Sequence, residues 1–181
     1  MKWLKYGALG LLGIVALATL TLLIMGRREG AGKTVSTIEI NRPPADVWTW
    51  VDDKDKYKQW VSWTVDVKDD GPKGAGGKRR VSMKDPNMDN QLVYFDAVTT
   101  EYNAPTRLKV HITSPMGFEG DAIYDLVDLG GRTRLTAAGA FKYSDWFAAL
   151  LEPVITPQAK AKEDGDLVTL KRLAEQSPVA N

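Results

Sequence analysis

The rhythm of apolar residues changes twice along this chain and divides it into three parts. From Gly7 to Met25 there is no charged side chain, and Thr19 and Thr21 are the only clearly polar residues. From Thr34 to Phe141 apolar and polar residues mostly alternate in short runs, the period of two that marks strands. From Ser144 to Glu175 apolar residues recur at helical spacing, with Trp146, Leu150 and Val154 early and Leu167, Leu170 and Leu173 late. The last part reads as one long amphipathic helix, or as two segments joined at a bend near Pro153 and Pro157. Ser144 is placed to cap it, with Asp145 and Glu152 towards the positive end of its dipole.

Within the middle part, Thr34 to Ile40 predicts a strand with Ile38 and Ile40 on one face. Pro43 and Pro44 end it and open a helix whose stripe is Val47, Trp48 and Val51. Asp52 to Gln59 predicts a second short helix, anchored by Tyr57 and Trp60. Strands follow at Trp63 to Lys68, Lys78 to Met83, Gln91 to Thr100 and Arg107 to Ser114, with turns at Asp69 to Gly77, Asp85 to Asn90 and Asn103 to Pro105. The final hairpin is the most explicit. Phe118, Gly120, Ala122, Tyr124 and Leu126 alternate with polar neighbours, Gly130-Gly131 makes the turn, and Leu135, Ala137, Gly139 and Phe141 return. That turn sets Leu126 opposite Leu135 and Tyr124 opposite Ala137, so both apolar sets share one face.

The pattern predicts an α+β domain over residues 34–176: a strand, two helices, six strands and a long helix that covers the sheet. Small residues among the inward positions of the hairpin suit a cavity between sheet and helix. Its expected apolar lining comprises Trp60 and Trp63 near one end, and Met83, Tyr94, Phe118, Tyr124 and Phe141 on the strands. Trp146 and Leu150 join it from the helix, and with Phe147 and Leu151 they read as core or as an apolar lid over the cavity mouth that touches a bilayer.

Residues 1–26 read as a transmembrane anchor. Gly7 to Met25 would span about 28 Å as a helix, close to the hydrocarbon thickness. Trp3 and Tyr6 sit where interfacial aromatics sit. A cleaved signal peptide ending at Ala16-Leu17-Ala18 is the rival reading, disfavoured because the apolar run continues to Met25. Flanking charges nearly tie and lean towards a bacterial inner-membrane protein with its domain outside the cytoplasm. Within the apolar run Gly7, Gly10 and Gly13 are three apart, so no Gly-x-x-x-Gly spacing there signals helix dimerisation. Residues 27–33 read as a flexible linker and 177–181 as a frayed tail.

Charge and candidate chemistry narrow the function. Of 24 Lys and Arg, only Lys2 and Lys5 lie in the anchor, leaving 22 against 23 acids. A body so balanced argues against nucleic acid as a partner. Without cysteine there is no thiolate site or disulfide, and one histidine cannot build a His-rich metal centre. No metal or other cofactor is implied. His111 alternates outward with Lys109 and Thr113, while Leu108, Val110 and Ile112 face in. Glu119, Asp121 and Asp125 also alternate outward, against a paired-carboxylate site. The Gly-rich stretch before Lys78 lacks the Ser or Thr that a phosphate loop needs.

These residues resemble a known family. Ile38-Glu-Ile-Asn-Arg-Pro-Pro-Ala-Asp-Val-Trp48, then Tyr57-Lys-Gln-Trp60 and Trp63, resembles the opening of START-like proteins, in the polyketide-cyclase and lipid-transport branch of the SRPBCC superfamily. Gly71 to Arg79, Tyr124 to Thr136 and Leu170 to Glu175 are similar to that family's second turn, last hairpin and closing helix. The resemblance implies the helix-grip fold, a seven-stranded antiparallel sheet bent around a C-terminal helix. It also implies a cavity for lipids, polyketides or other apolar small molecules. It does not select one activity, because the fold hosts carriers, enzymes and regulators. The missing catalytic constellation leans towards a membrane-anchored carrier or sensor of a hydrophobic small molecule or lipid. A cyclase or dehydrase using Tyr94, Tyr124 or His111 is the alternative, and a non-catalytic interaction module is the third.

Overall fold

The computed structural model describes residues 2–86, 89–144 and 146–178. The expected roles of Asp145 and of residues 179–181, and part of the turn before Gln91, fall outside these. Helix α1 (Lys2–Gly26) is followed by strand β1 (Lys33–Ile40) and helices α2 (Pro44–Asp52) and α3 (Lys54–Trp60). Strands β2 (Thr64–Asp70), β3 (Lys78–Asp85), β4 (Gln91–Asn103), β5 (Arg107–Ser114), β6 (Phe118–Asp128) and β7 (Thr133–Tyr143) lead to helix α4 (Trp146–Gln176). All seven strands form one antiparallel sheet in the order β1-β7-β6-β5-β4-β3-β2. This is the helix-grip architecture.

The β6–β7 register pairs Leu126 with Leu135 and Tyr124 with Ala137, as the alternation requires. Gly130 and Gly131 have φ of 77° and 83°, which a side chain would strain. Asp128 fixes the turn by accepting from both of their N–H groups, at 2.9 and 3.0 Å. Pro43 precedes α2 with an extended backbone, and Asp53 caps α3 by accepting from Asp55 and Lys56.

The core lies at one end of the sheet. Ile40, Leu126 and Leu135 of the strands, Val47 and Val51 of α2, and Leu167, Leu170 and Ala174 of α4 are buried together. Leu170 is fully buried there, so Leu170→Ala is expected to cost about 2–5 kcal/mol in denaturant unfolding. Polar contacts lock the C-terminal half of α4 to β1. Lys171 Nζ donates to the Glu39 carbonyl at 2.8 Å, and the Asn41 N–H donates to the Glu175 carboxylate at 2.8 Å.

Ser36, buried on β1, donates to Asp164 at 2.6 Å and lies 3.3 Å from Glu163. Burial raises the Glu163 pKa above the ordinary value, against the pull of the Thr34 and Ser36 hydroxyls. A raised pKa in the fold means stability is lost as pH rises through it. Glu163→Gln is therefore expected to raise Tm at pH 8 and to match the wild type at pH 4. Thermal melts across that range check the sign.

The N-terminal half of α4 does something else. Pro153 offers no N–H to the Ala149 carbonyl one turn back. Gly26, the last residue of α1, approaches that carbonyl so closely that a Cβ on it would lie 1.7 Å from the oxygen. The helix nevertheless runs unbroken through both prolines. Next to this crossing the fully buried Glu152 accepts from the Gly32 N–H at 2.9 Å and from Arg28 at 2.8 Å. Gly32 also accepts from the Phe141 N–H at 3.1 Å. Residues 27–33 are thus pinned to α4 and β7, not free as the expected flexible linker would be. From Leu9 up to that crossing α1 is apolar and mostly exposed, and its Thr19 and Thr21 hydroxyls turn inward to their own backbone. It is long and apolar enough to cross a membrane.

Candidate functional site: the cavity between sheet and helix

α4 packs chiefly on β1 and stands away from the concave face of β3 to β6. The space left is a cavity of about 1010 Å³, at the upper end of the range for small-molecule sites. The end nearest α1 is apolar. Met83 and Val93 are cross-strand partners there, and Phe95, Phe118 and Phe141 make a chain of rings with centroids 5.4 and 5.9 Å apart. Phe147, Leu151 and Ile155 close it from α4.

The opposite end is polar. Tyr57 and Tyr124 line it and are hydrogen-bonded to each other. Burial raises both phenols, Tyr124 well above the usual value, so both stay protonated at neutral pH. Two hydroxyls sharing one bond leave one O–H to donate to a guest. Arg79 lies over the Tyr57 ring at 5.6 Å, but its guanidinium is already committed to Asp69 and to the Asp52 carbonyl. Asp52 in turn accepts from Tyr102 at 3.0 Å and pairs with Lys73 at 2.7 Å. The tyrosine pair therefore offers a ligand a neutral hydrogen bond, and Asp53, Lys54, Asp70 and Lys78 add charge to the cavity lining.

Of the residues singled out from sequence, Trp63, Met83, Phe118, Tyr124 and Phe141 lie on the cavity wall. Trp63 has φ of 69°, a left-handed backbone that costs a bulky residue energy, and its ring carries Lys162 at 5.1 Å. The other four lie elsewhere. Trp60 is core: it is buried and its indole N–H donates to the Trp50 carbonyl at 2.7 Å. Tyr94 is on the outer face, 41% exposed beneath the Arg80 guanidinium. Trp146 is 61% exposed and packs on Phe147, and Leu150 is also off the wall, because the helix turns Phe147 and Leu151 inward.

His111 is outside the cavity, 2.9 Å from Asp121, as its alternation requires. The small residues of the hairpin need a different explanation from the expected one. Only Ala122 lines the cavity. Gly120 is forced by the β7 backbone, 2.1 Å from where a Cβ would sit, and Gly139 by the Phe141 ring at 2.8 Å. Sequence reasoning missed Phe95, Tyr102 and Ile155 as wall residues, and Phe147 and Leu151, read from sequence as core or lid, line the wall as well.

Residues 31–175 match the sequence profile of the family described as polyketide cyclase / dehydrase and lipid transport. No curated protein matches the chain in sequence. Solved structures share its fold at low identity. A conserved protein from Geobacillus kaustophilus has a TM-score of 0.68 at 14% identity, over 80% of this chain and 96% of its own. The Zhui aromatase/cyclase from Streptomyces sp. R1128 gives 0.67 at 14%, over 80% and 93%. A protein from Nitrosomonas europaea gives 0.64 at 17%, over 81% and 96%.

Proposed function

Because the chain belongs to the polyketide cyclase/dehydrase and lipid transport family, we propose that it binds an apolar or amphipathic small molecule non-covalently, as a carrier or sensor held at a membrane by α1. The observation that carries this reading is the cavity's polarity gradient, aromatic and aliphatic near α1, and at the far end lined by tyrosines and by charged residues such as Asp52, Lys73 and Arg79. A guest with a long apolar body and a small polar head matches it. Its body would be held by burial at about 25 cal/mol per Å² before ordering costs. Its head would meet the spare hydroxyl of the Tyr57–Tyr124 pair. Supporting the membrane location is the apolar stretch Leu9–Gly26 of α1, of which almost nothing is buried.

The second reading, a cyclase- or dehydrase-type enzyme, draws on the same two tyrosines as neutral proton donors and on the aromatase/cyclase among the fold's neighbours. Among the described residues, the carboxylates that couple to those hydroxyls, Glu163 and Asp166, are not on the cavity wall, which favours binding over turnover. Titration of the delipidated full chain with cis-parinaric acid tests the binding reading. Saturable fluorescence enhancement at one site per chain supports it, and a response no greater than that of detergent alone refutes it.

A further inference from the structure

The first three turns of α4 are apolar on the outside as well as on the cavity side. Trp146, Phe147 and Val154 are 61%, 54% and 54% exposed, and Leu151 and Ile155 are exposed too. Phe147, Leu151 and Ile155 belong at once to this surface and to the cavity wall. Met116, in the turn between β5 and β6, does the same from the sheet side. The apolar surface is therefore the rim of the cavity's apolar end.

Its position relative to α1 is fixed. Ala149 abuts Gly26 at the crossing, and Glu152, one turn on, holds Arg28 and Gly32. Gly26 closes the apolar run of α1 that begins at Leu9. If that run occupies the hydrocarbon, Gly26 lies at its boundary, and the neighbouring turns of α4 lie at the same depth. Arg27, Arg28 and Lys33 stand there as headgroup-level cations. The first exposed acid of α4 after this stretch, Asp164, comes more than two turns later.

We infer that residues Trp146 to Ile155 of α4 are embedded in the membrane–water interface beside the exit of α1, so that the apolar mouth of the cavity opens onto the bilayer. The proposal rests on α1 spanning the membrane. It assigns the bilayer as the route of the ligand: an apolar molecule passes between Phe147, Leu151 and Met116 without crossing water. A water-facing mouth would expose the same rim at a hydrophobic cost. An interfacial tryptophan followed by aliphatic residues is the composition that membrane-surface helices use.

The chain has no cysteine, so single cysteines report local environment without background. Spin labels at Trp146→Cys and Val154→Cys would be read in the full chain in lipid nanodiscs holding one copy each. Ile14→Cys in α1 and Val168→Cys, exposed on the far half of α4, serve as references. None of the four positions lies on the cavity wall. The proposal predicts that the ratio of oxygen to water-soluble nickel accessibility at positions 146 and 154 rises severalfold over that at 168, approaching that at 14. A high ratio at 14 with ratios at 146 and 154 equal to that at 168 overturns the docking and leaves the anchor intact. A low ratio at 14 overturns the anchor and the docking together. An apolar environment at 146 and 154 that appears only with two copies per disc makes the face a contact between chains, and also overturns the proposal. Parinaric acid binding is read separately, so these outcomes do not depend on it.

Discussion

Replacing Ala122 with Trp is expected to empty the cavity of ligand while leaving the fold intact. Ala122 lies on β6 between Val110 of β5 and Gly139 of β7, with its methyl group on the cavity wall. An indole there would project into open space and not into packed core, so the usual cost of overpacking does not apply. It would take the place of roughly 100 Å² of buried ligand surface, or about 2.5 kcal/mol at 25 cal/mol per Å². That corresponds to a loss of affinity on the order of 60-fold for cis-parinaric acid. The melting temperature should stay at or slightly above that of the wild type. Unchanged affinity would mean that the guest sits elsewhere. The conservative change Ala122→Val should fall between the two.

The second large effect concerns the junction of α1 and α4. In Gly26→Val the new Cβ would lie 1.7 Å from the Ala149 carbonyl oxygen, a backbone atom that cannot swing away. The helices must part, and the Glu152 contacts to Arg28 and Gly32 go with them. Glu152→Ala reaches the same state differently, by orphaning the buried Gly32 N–H, at about 1–3 kcal/mol. A local loss of about 2 kcal/mol raises opening of this segment ~30-fold. Trypsin cleavage after Arg27 and Arg28 in the detergent-solubilised full chain should accelerate by that order in either variant, and equal rates would refute the junction. The wild-type junction also has a predictable pH response. Burial works to raise the Glu152 pKa, but the Gly32 N–H, Arg28 and Thr156 outweigh it and leave the pKa lowered. A lowered pKa in the fold gives stability that is present above the unfolded value and lost as pH falls through the folded one. Protection from cleavage by an acid-active protease should thus persist at pH 5 and fade only below the ordinary carboxylate range.

Where period and turn chemistry agreed, the fold was legible. The β6–β7 hairpin could be read pair by pair because Gly130-Gly131 fixed its register and the alternation fixed its face. His111 could be placed outside because Leu108, Val110 and Ile112 left it no choice. Tyr94 could not be placed by the same means. It sits in an unbroken apolar run, Leu92-Val93-Tyr94-Phe95, in which alternation has no phase. A register shift between Thr99 and Glu101 then brings Tyr102 inward further along the strand. The usable signal was charge across the ladder: Ser82 pairs with Tyr94 and Arg80 with Asp96, which marks that face as wet.

The start of α4 failed for a related reason. Trp146-Phe147-Ala148-Ala149-Leu150-Leu151 is apolar on every side, so helical period cannot say which stripe meets the cavity. The reason became visible only with α1 in place. One side of those turns meets the cavity, one meets Gly26, and the remainder is exposed. The buried Glu152 was legible only as a dipole partner, because its real donors lie 120 and 124 residues away in sequence.

Extraction of the full chain purified from its membrane, followed by mass spectrometry of the organic phase, tests the central claim most directly. The account predicts one apolar or amphipathic molecule per wild-type chain and a sharply reduced amount from Ala122→Trp prepared identically. The same lipids in the same amounts from both proteins would contradict it, since whatever was carried along would then lie outside the cavity.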